Sequence, residues 1–429
     1  MVFANRSPSG QRQTRGGVGF EQRKGRGEMD EMQAQYEVYP YPEREARDET
    51  KRLITGSPSW PQEMDHWLWG GARDWTQPLR ALVAGGGTGD GLIQLAQRLT
   101  DAGRPYAITY LDMSKAARAI AQDRAAVRGL TGITFVTGSL LEAGAHGPFD
   151  YIDCCGVLHH LPDPQAGFDA LAGALAPGGG IGLMVYAPLG RSGVYPLQAG
   201  FGTLLAGLAP EAKLAAAKAV FNAIPEGHPF KTNPHLVDHK ASDAGFYDLL
   251  LHSSDRAFSV PELLGALAGA GLDLAGVPEP AMYDLKALLL EGVAIPDGIS
   301  EAEAMAVAEN LRGTFKTHIV YAVPKGARIL PPMGKPSAIP HLRGIDPRRL
   351  AQAVAQKGAL RLTVGGSKVT LSIPKAAAPM IAAINGKRDL AAIRALSRLD
   401  PIAFNMVWGP AEKALTGYGQ LHYSTLLKA

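Results

Sequence analysis

Short apolar runs alternate with helix-length segments between residues 79 and 323. Near-continuous apolar runs such as ALVA and GLMV are typical of parallel strands that are covered on both faces. Helical periodicity separates the runs at 92–99, 115–127 and 165–175. This order predicts an α/β fold with a doubly wound, mostly parallel sheet. The five predicted strands cover residues 80–85, 107–112, 133–137, 149–157 and 181–188.

Two segments depart from this pattern. Residues 1–28 are rich in Gly, Arg, Gln and Ser and poor in apolar residues, so we predict a mobile tail. Six prolines fall within 24 residues between Pro324 and Pro347, which predicts an extended domain boundary. The predicted organisation is therefore a tail (1–28), an N-terminal lid or helical element (29–78), the sheet domain (79–326), a proline-rich linker (327–345) and a C-terminal accessory domain (346–429).

Composition narrows the class of protein. The 429 residues are 46% hydrophobic and 19% charged, which excludes a disordered chain or a disulfide-stapled miniature. No apolar run reaches the length of a membrane span, and the N-terminus lacks the apolar stretch of a signal peptide, so we expect a cytoplasmic protein without membrane contact. The two cysteines, Cys154 and Cys155, are neighbours in an apolar run and are expected to be buried rather than bridged.

Charge is distributed unevenly along the chain. The net charge is +3, but residues 1–28 carry +4 and residues 341–429 carry +9, so the residues between them carry −10. A basic end segment is suited to an acidic partner, although scattered surface lysines also serve solubility.

A glycine-rich sequence, VAGGGTGDG, follows the first predicted strand and points to a ligand-binding turn. A phosphate-binding P-loop requires a lysine where this chain has Leu92. The dinucleotide fingerprint requires Gly or Ala at the position of Asp90. The remaining pattern is GxGxG, made by Gly85, Gly87 and Gly89.

Asp112 ends the second predicted strand, 23 residues beyond Gly89. An acid at this position accepts hydrogen bonds from both hydroxyls of a ribose and disfavours a 2′-phosphate. The sequence therefore predicts a nucleoside-like cofactor with a free ribose and no pyrophosphate.

The segment from Leu79 to Pro188 resembles the core of class I, Rossmann-like S-adenosylmethionine-dependent methyltransferases. The resemblance rests on GGGTG in the glycine loop, YLDMS at the ribose acid, FDYIDCCGVLHHLPDP as the fourth-strand motif and LAPGGGIGLMVY leading into the fifth strand. It implies a seven-stranded sheet that is completed by a helix at 261–270, a strand at 272–276 and a reversed last strand at 317–324.

The resemblance also implies S-adenosyl-L-methionine as cofactor and a set of residues that bind it. These are Gly85, Gly87, Gly89, Asp112, Ser139 and Leu140. Many relatives carry an acid at the position of Val83, which helps to hold the methionyl ammonium, and another acid where this chain has Ser139. These two departures leave open a non-catalytic regulator that binds the cofactor, as the alternative to a methyltransferase.

Two groups of residues are candidates for the chemistry. His159 and His160 follow the fourth strand, where imidazole is suited to take a proton from the acceptor, or else forms a cap that packs against adenine. The segment QYEVYPYPER resembles an N-terminal element that folds over the cofactor cleft in some methyltransferases. We assign Tyr39 to catalysis and Tyr36 and Tyr41 to acceptor binding, with aromatic packing as the alternative.

Residues 190–259 form a predicted insertion, where this family varies acceptor specificity, with an alanine-rich helix at 204–224. We assign His252 and Arg256 to acceptor binding; Arg256 is suited to clamp a carboxylate, or to form a structural ion pair. His235 and His239 have i, i+4 spacing, but a third ligand and a buried glutamate are missing from the motif, so no metal is predicted.

The C-terminal region predicts a β-hairpin at 358–374 and helices at 375–384 and 389–396, and it resembles small winged-helix-like α+β domains behind some bacterial methyltransferases. The acceptor is expected to be an O or N nucleophile of a small molecule or of a protein side chain. Nucleic acid is less favoured, because the fourth-strand motif lacks an Asn/Asp-Pro-Pro-aromatic run. A homodimer is left open.

Overall fold

The computed structural model describes residues 33–56, 58–289 and 293–428; the predicted tail at 1–28 lies outside them. Seven strands form one sheet in the order β3-β2-β1-β4-β5-β7-β6, and β7 runs antiparallel to β5 and β6. The sheet confirms the predicted doubly wound, class I methyltransferase-like fold. Its strands are β1 (Leu79–Ala84), β2 (Tyr106–Asp112), β3 (Ile133–Thr137), β4 (Phe149–Cys155), β5 (Leu175–Tyr186), β6 (Leu272–Gly276) and β7 (Thr317–Pro324).

Helices cover both faces of this sheet. None of the helices in the described ranges is both long and apolar enough to cross a membrane. Through the sheet domain they are α1 (Pro61–Leu68), α2 (Asp90–Asp101), α3 (Lys115–Val127), α4 (Pro164–Gly173), α5 (Val194–Leu204), α6 (Pro210–Ala223), α7 (Pro229–Thr232), α8 (Asp238–Ala241), α9 (Asp243–Leu250), α10 (Val260–Gly269), α11 (Pro280–Tyr283), α12 (Leu285–Leu288) and α13 (Glu301–Arg312).

The two faces of the sheet bury alternate residues of the same strands, as strand geometry requires. Leu82 and Ile152 belong to the core beneath α4 and α10, whereas Val83 and Tyr151 belong to the core beneath α1 and α2. All four side chains are at most 3% exposed. Both faces are therefore apolar, which explains why the strands read as continuous apolar runs.

The insertion at 190–259 folds as a helical cluster with its own apolar core. The helix predicted at 204–224 is divided: α5 ends at Leu204 and α6 begins at Pro210. Proline has no N–H to donate and its fixed φ suits the first turn of a helix, so Pro210 sets the beginning of α6.

The C-terminal region has a separate core that includes Leu350, Val354, Ile381 and Trp408. The predicted hairpin is present, and the likeness to winged-helix domains remains a prediction. Its elements are β8 (Pro340–Leu342), α14 (Pro347–Lys357), β9 (Ala359–Val364), β10 (Ser367–Ser372), α15 (Ala378–Ala382), α16 (Leu390–Ser397), α17 (Pro401–Gly417) and β11 (Leu421–Tyr423), with β8 paired to β11.

Buried polar contacts join this region to α1. Asp65, fully buried, accepts hydrogen bonds from the Ser424 hydroxyl at 2.7 Å and the Thr425 N–H at 3.0 Å. Arg343 contacts the Glu63 carboxylate at 2.6 Å, and the Glu63 side chain is 1% exposed. Arg343, Ser424 and Thr425 of the C-terminal region are therefore fastened to α1, which packs against the sheet.

The Glu63–Arg343 pair generates a stability prediction. Burial raises the pKa of Glu63, and Arg343 is foremost among the groups that oppose this. In Arg343→Leu the pKa rises further, so the folded carboxyl is neutral at low pH and uncompensated at high pH. We expect a loss of about 3 kcal/mol of unfolding free energy at pH 8 and a smaller loss at pH 5.

Denaturant titrations at both pH values measure this change. The matched control is Arg328→Leu, which removes an exposed ion pair with Glu301 and should alter stability by less than about 1 kcal/mol. Equal, small losses in both variants would mean that the junction does not contribute to folding.

Candidate active site

A cavity of about 840 Å³ lies at the carboxyl edge of the sheet. The ends of β1, β2, β4 and β5 contribute to its walls, together with residues 54–56 and the segment around Tyr41. Ligands of open α/β sheets bind at this edge, so the cavity occupies the expected place.

The glycine-rich turn after β1 forms one wall of the cavity. Gly85 and Gly87 adopt φ values of +64° and +50°, a region that disfavours residues with a side chain. A Cβ atom on Gly87 would lie 2.8 Å from the carbonyl oxygen of Tyr41. The segment that covers the cavity can therefore approach the loop only because this position is glycine; Gly89 then precedes α2 as its N-cap.

Asp112 ends β2 beside this loop. Its carboxylate accepts hydrogen bonds from the backbone N–H groups of Gly87 and Ser114, both at 2.8 Å. Burial raises the pKa of Asp112, and these two backbone bonds oppose the shift. The side chain lines the cavity, so the structure places the predicted ribose acid against the predicted glycine loop.

Ser139 and Leu140 follow β3 and line the same cavity. The Ser139 hydroxyl accepts a hydrogen bond from the backbone N–H of Leu141 at 3.2 Å and caps a 3₁₀ turn at Leu140–Ala145. This capping fixes the Leu140 backbone at the cavity wall.

The two histidines after β4 differ in what they contact. His160 lines the cavity, and its Nδ1 lies 2.9 Å from the carbonyl oxygen of Ser254. His159 is fully buried, stacks on Tyr186 at 3.8 Å and accepts a hydrogen bond from the Tyr186 N–H through Nδ1. Burial lowers the pKa of His159, so this ring is neutral. Of the two, His160 is placed to meet a substrate.

The N-terminal tyrosines also separate. Tyr36 and Tyr41 line the cavity, whereas Tyr39 stacks on Tyr247 at 5.1 Å and packs against the core of the insertion. The tyrosine segment therefore covers the cleft with Tyr36 and Tyr41 and is held to the insertion by Tyr39.

A buried polar cluster stands where the insertion meets the sheet. Asp248 of α9 is 3% exposed and accepts hydrogen bonds from the hydroxyls of Tyr36 at 3.0 Å and Tyr186 at 3.2 Å. Burial raises the pKa values of both phenols, which keeps them protonated as donors. Burial likewise raises the pKa of Asp248. His252 lies next to Tyr36, with Nε2 at 3.2 Å from its hydroxyl.

His160, Asp248 and His252 bring three possible metal-ligand atoms within 4.8 Å of one another. The hydrogen bonds do not suit a metal. Nδ1 of His252 accepts from the Ser254 N–H at 3.1 Å, so the neutral ring carries its proton on Nε2, where it donates to Tyr36. The rings of His160 and His252 also stack at 3.8 Å. These contacts describe a hydrogen-bonded relay rather than a coordination site.

Arg256 lies outside the cavity lining, in an exposed pair with Glu262 at 3.3 Å. The arginine beside the cluster is Arg191, whose guanidinium lies 3.6 Å from the ring centre of Tyr186 and pairs with Asp255 at 2.8 Å. Arg191 is 3% exposed and therefore braces Tyr186 from behind.

Sequence reasoning did not assign Asp248, Tyr186 or Arg191 to the site. Tyr186 ends β5, and the position of a residue at the carboxyl end of a central strand was a signal that could have identified it. Asp248 and Arg191 gave no comparable signal, because both lie in or beside the insertion, whose packing follows no strand period.

The cavity fits the cofactor that the sequence implies. Asp112 lines it with a carboxylate that would accept hydrogen bonds from a ribose diol, and Ser139 and Leu140 line it with hydroxyl and backbone groups that would bond a purine. The cavity volume of about 840 Å³ lies in the usual range for small-molecule sites.

Comparisons with known proteins agree with S-adenosylmethionine as the cofactor. A family model described as a methyltransferase domain matches residues 82–181. An uncharacterized protein, syc1184_c, of Synechococcus sp. is 30% identical over 261 residues, which cover 57% of this chain and 59% of that protein. The chain thus matches less than two thirds of the length of this relative.

Solved structures match over most of the fold. PKMT2 from Rickettsia typhi is 13% identical with a TM-score of 0.57, and the match covers 87% of this chain and 76% of that one. The same protein in complex with AdoHcy gives a TM-score of 0.60 and covers 77% of that chain. The match at residues 82–181 identifies a methyltransferase domain, for which S-adenosylmethionine is the cofactor, and the chain around this domain shares the fold of these solved structures.

Proposed function

We propose that this protein transfers a methyl group from S-adenosylmethionine to a positively charged amine, carried by a small molecule or by a protein side chain. The observation that carries the proposal is the buried carboxylate of Asp248 at the cavity wall. The charge of Asp248, the aromatic rings beside it and the position of His160 favour an amine over a hydroxyl acceptor.

Asp248 needs a cation to compensate its charge. A carboxylate that leaves water is costly unless it is paired and hydrogen-bonded. Its oxygens accept from Tyr36 and Tyr186, but among residues 33–56, 58–289 and 293–428 no Lys or Arg forms an ion pair with it. An ammonium group would supply the missing charge, whereas a hydroxyl would not.

Aromatic rings also favour a cation here. Tyr36, Tyr41 and Tyr186 line the cavity together with Asp248. The faces of aromatic rings attract ammonium groups, and the attraction grows when water is excluded. Tyr36 and Tyr186 hold the carboxylate through their hydroxyls. Because the Tyr186 ring is packed against His159 and Arg191, the walls for the carbon atoms next to an amine are those of Tyr36 and Tyr41.

His160 is placed to remove the proton that the amine must lose. A carbonyl oxygen only accepts, so the contact with Ser254 fixes the proton of the neutral ring on Nδ1 and leaves Nε2 able to accept another. The bound cofactor supplies an electrophilic methyl group. Asp248 orients the ammonium, His160 takes one of its protons, and the freed lone pair is then available for transfer.

The other predicted site residues support these groups. Tyr39 holds the covering segment against the insertion, and His159 holds Tyr186 by stacking. His252 donates to Tyr36, which donates to Asp248, so this relay orients the carboxylate. Arg256 has no place in the proposed transfer.

The first prediction of this proposal concerns the acceptor. In Asp248→Asn the acceptor loses a charge-assisted bond worth about 1.5 to 3 kcal/mol, so we expect kcat/KM to fall about 10- to 150-fold. Because the pKa of Asp248 is raised, activity of the parent should decline as pH falls through that pKa, and the variant should lose this dependence.

To measure this transfer, the protein is incubated with methyl-labelled cofactor and cell extract. Separation of the protein, RNA and metabolite fractions then shows which of them contains the acceptor. The matched control is Asp243→Asn, an exposed acid at the beginning of the same helix, which should transfer normally. Undiminished labelling by Asp248→Asn would contradict the proposal. If the parent protein labels nothing, the alternative is favoured, a non-catalytic regulator that binds the cofactor.

The second prediction separates the two histidines. We expect His160→Gln to lower turnover by about 100- to 10,000-fold, because it removes the base, with unchanged affinity for S-adenosylhomocysteine. His159→Gln should act mainly through stability, since that ring is buried. Turnover, measured beside the affinity for S-adenosylhomocysteine and the unfolding free energy, checks this: the His160 variant should lose turnover while affinity and stability stay unchanged. Turnover in the His160 variant equal to that of the parent would exclude His160 as the base.

The third prediction concerns the ribose acid. Asp112→Ala should weaken binding of S-adenosylhomocysteine about 30- to 150-fold, because a pair of hydroxyl contacts worth about 2 to 3 kcal/mol is lost. Titration calorimetry measures the affinity, with the exposed Asp101→Ala as control. Unchanged binding by Asp112→Ala would overturn the assignment.

A further inference from the structure

We propose that Asp153 of β4 binds the ammonium group at the methionyl end of the cofactor. Many relatives bind this group with the help of an acid at the position where this chain has Val83. This inference rests on the proposed function in one respect, that the cavity binds S-adenosylmethionine. Asp153 is 1% exposed and lines the cavity.

The strand register places Asp153 beside the position in question. In the parallel pairing of β1 with β4, Val83 is the direct partner of Asp153. Partners in a parallel ladder point to the same face of the sheet. Both residues therefore belong to the face beneath α1 and α2, and both line the cavity next to the glycine loop. A carboxylate that is missing from β1 is thus present one strand away, at the same level of the sheet.

The surrounding chain holds this carboxylate in place. The Ser59 hydroxyl, itself fully buried, donates to Asp153 Oδ2. Pro58, the residue before it, is fixed because its carbonyl oxygen accepts from the hydroxyls of Tyr151 at 3.1 Å and Tyr321 at 2.6 Å. An isolated buried carboxylate without such support would be expected to take up a proton.

Space for this arrangement comes from Gly182 of β5, the partner of Asp153 on its other side. A Cβ atom there would lie 3.1 Å from the Cβ of Pro58 and still closer to the Tyr151 hydroxyl. The absence of a side chain at 182 therefore lets Pro58 and Ser59 lie over the strand ends, where Ser59 reaches Asp153.

Three of the other acids that line the cavity have different surroundings. Asp90 pairs with Arg44 at 2.7 Å and with Arg124 at 2.8 Å, so its charge is compensated. Asp112 binds the glycine loop, and Asp248 stands in the cluster between Tyr36 and Tyr186. Of the described acids that line the cavity and are at least nine-tenths buried, Asp153 is the one adjacent to Val83.

The test compares two ligands that share adenine, ribose and a sulfur atom. S-adenosylhomocysteine carries the amino-acid end, and 5′-methylthioadenosine lacks it. In Asp153→Asn, which keeps an acceptor for Ser59, calorimetry should give an affinity for S-adenosylhomocysteine that is about 10- to 100-fold weaker, because a charged hydrogen bond is lost. Affinity for 5′-methylthioadenosine should change by less than about twofold.

Two controls identify the source of any change. Asp112→Ala should weaken both ligands, because both carry the ribose. Asp150→Asn, at the opposite end of β4 and paired with Arg80, should weaken neither. Equal weakening of both ligands by Asp153→Asn would make the residue structural, and no weakening would exclude it; either result overturns the inference.

A second variant covers the case in which Asp153→Asn does not fold. Exchanging the two partners, as Val83→Asp with Asp153→Val, keeps one carboxylate on the same wall. This protein should regain the preference for S-adenosylhomocysteine over 5′-methylthioadenosine, whereas Asp153→Val alone should lack it; failure of the exchange to restore the preference would contradict the inference. A parent protein that binds neither ligand would instead contradict the proposed function itself.

Discussion

The hydrogen bonds that Asp112 accepts from Gly87 and Ser114 join the ends of β1 and β2, and the site is arranged around this junction. They fix the glycine loop, which in turn leaves room for the carbonyl of Tyr41 to approach Gly87. That approach positions the segment carrying Tyr36 against Asp248. One carboxylate thus orders the loop, the covering segment and the contact with the insertion.

Several carboxylates line the cavity, and their surroundings give them different tasks. Asp90 is neutralised by two arginines and braces the beginning of α2. Asp112 is bound by backbone N–H groups, which leaves it suited to hydroxyl groups of a ligand. Asp248 is held by phenols that donate hydrogen bonds but supply no positive charge. This difference in compensation is the physical basis for assigning a cationic acceptor to Asp248.

Much of the fold follows from local patterns, because strands that are buried on both faces are continuous apolar runs and glycine loops have fixed spacing. The roles within the site depend on contacts between distant residues. Arg256 follows an acid in the sequence, yet the acid, Asp255, pairs with Arg191, 64 residues earlier. His159 and His160 are adjacent, and only the packing of Tyr186 decides which of them faces the cavity.

The contacts between the C-terminal region and α1 also join distant residues. Prolines at 324–347 predict a boundary, but the bonds from Ser424 and Thr425 to Asp65 cross about 360 residues and have no local signal. The inference about Asp153 has the same character, since it depends on which strands are neighbours. Position along the sequence draws attention to Val83, and the register of β1 with β4 places Asp153, the proposed replacement for an acid there, beside it.

The atom that receives the methyl group tests the account most directly. Reaction of the full-length protein with carbon-13 methyl-labelled cofactor, followed by proton–carbon correlation spectroscopy of the labelled product, identifies the methylated atom. The account predicts a methyl group on nitrogen, and its formation should depend on Asp248. A methyl group on oxygen, sulfur or carbon would contradict it.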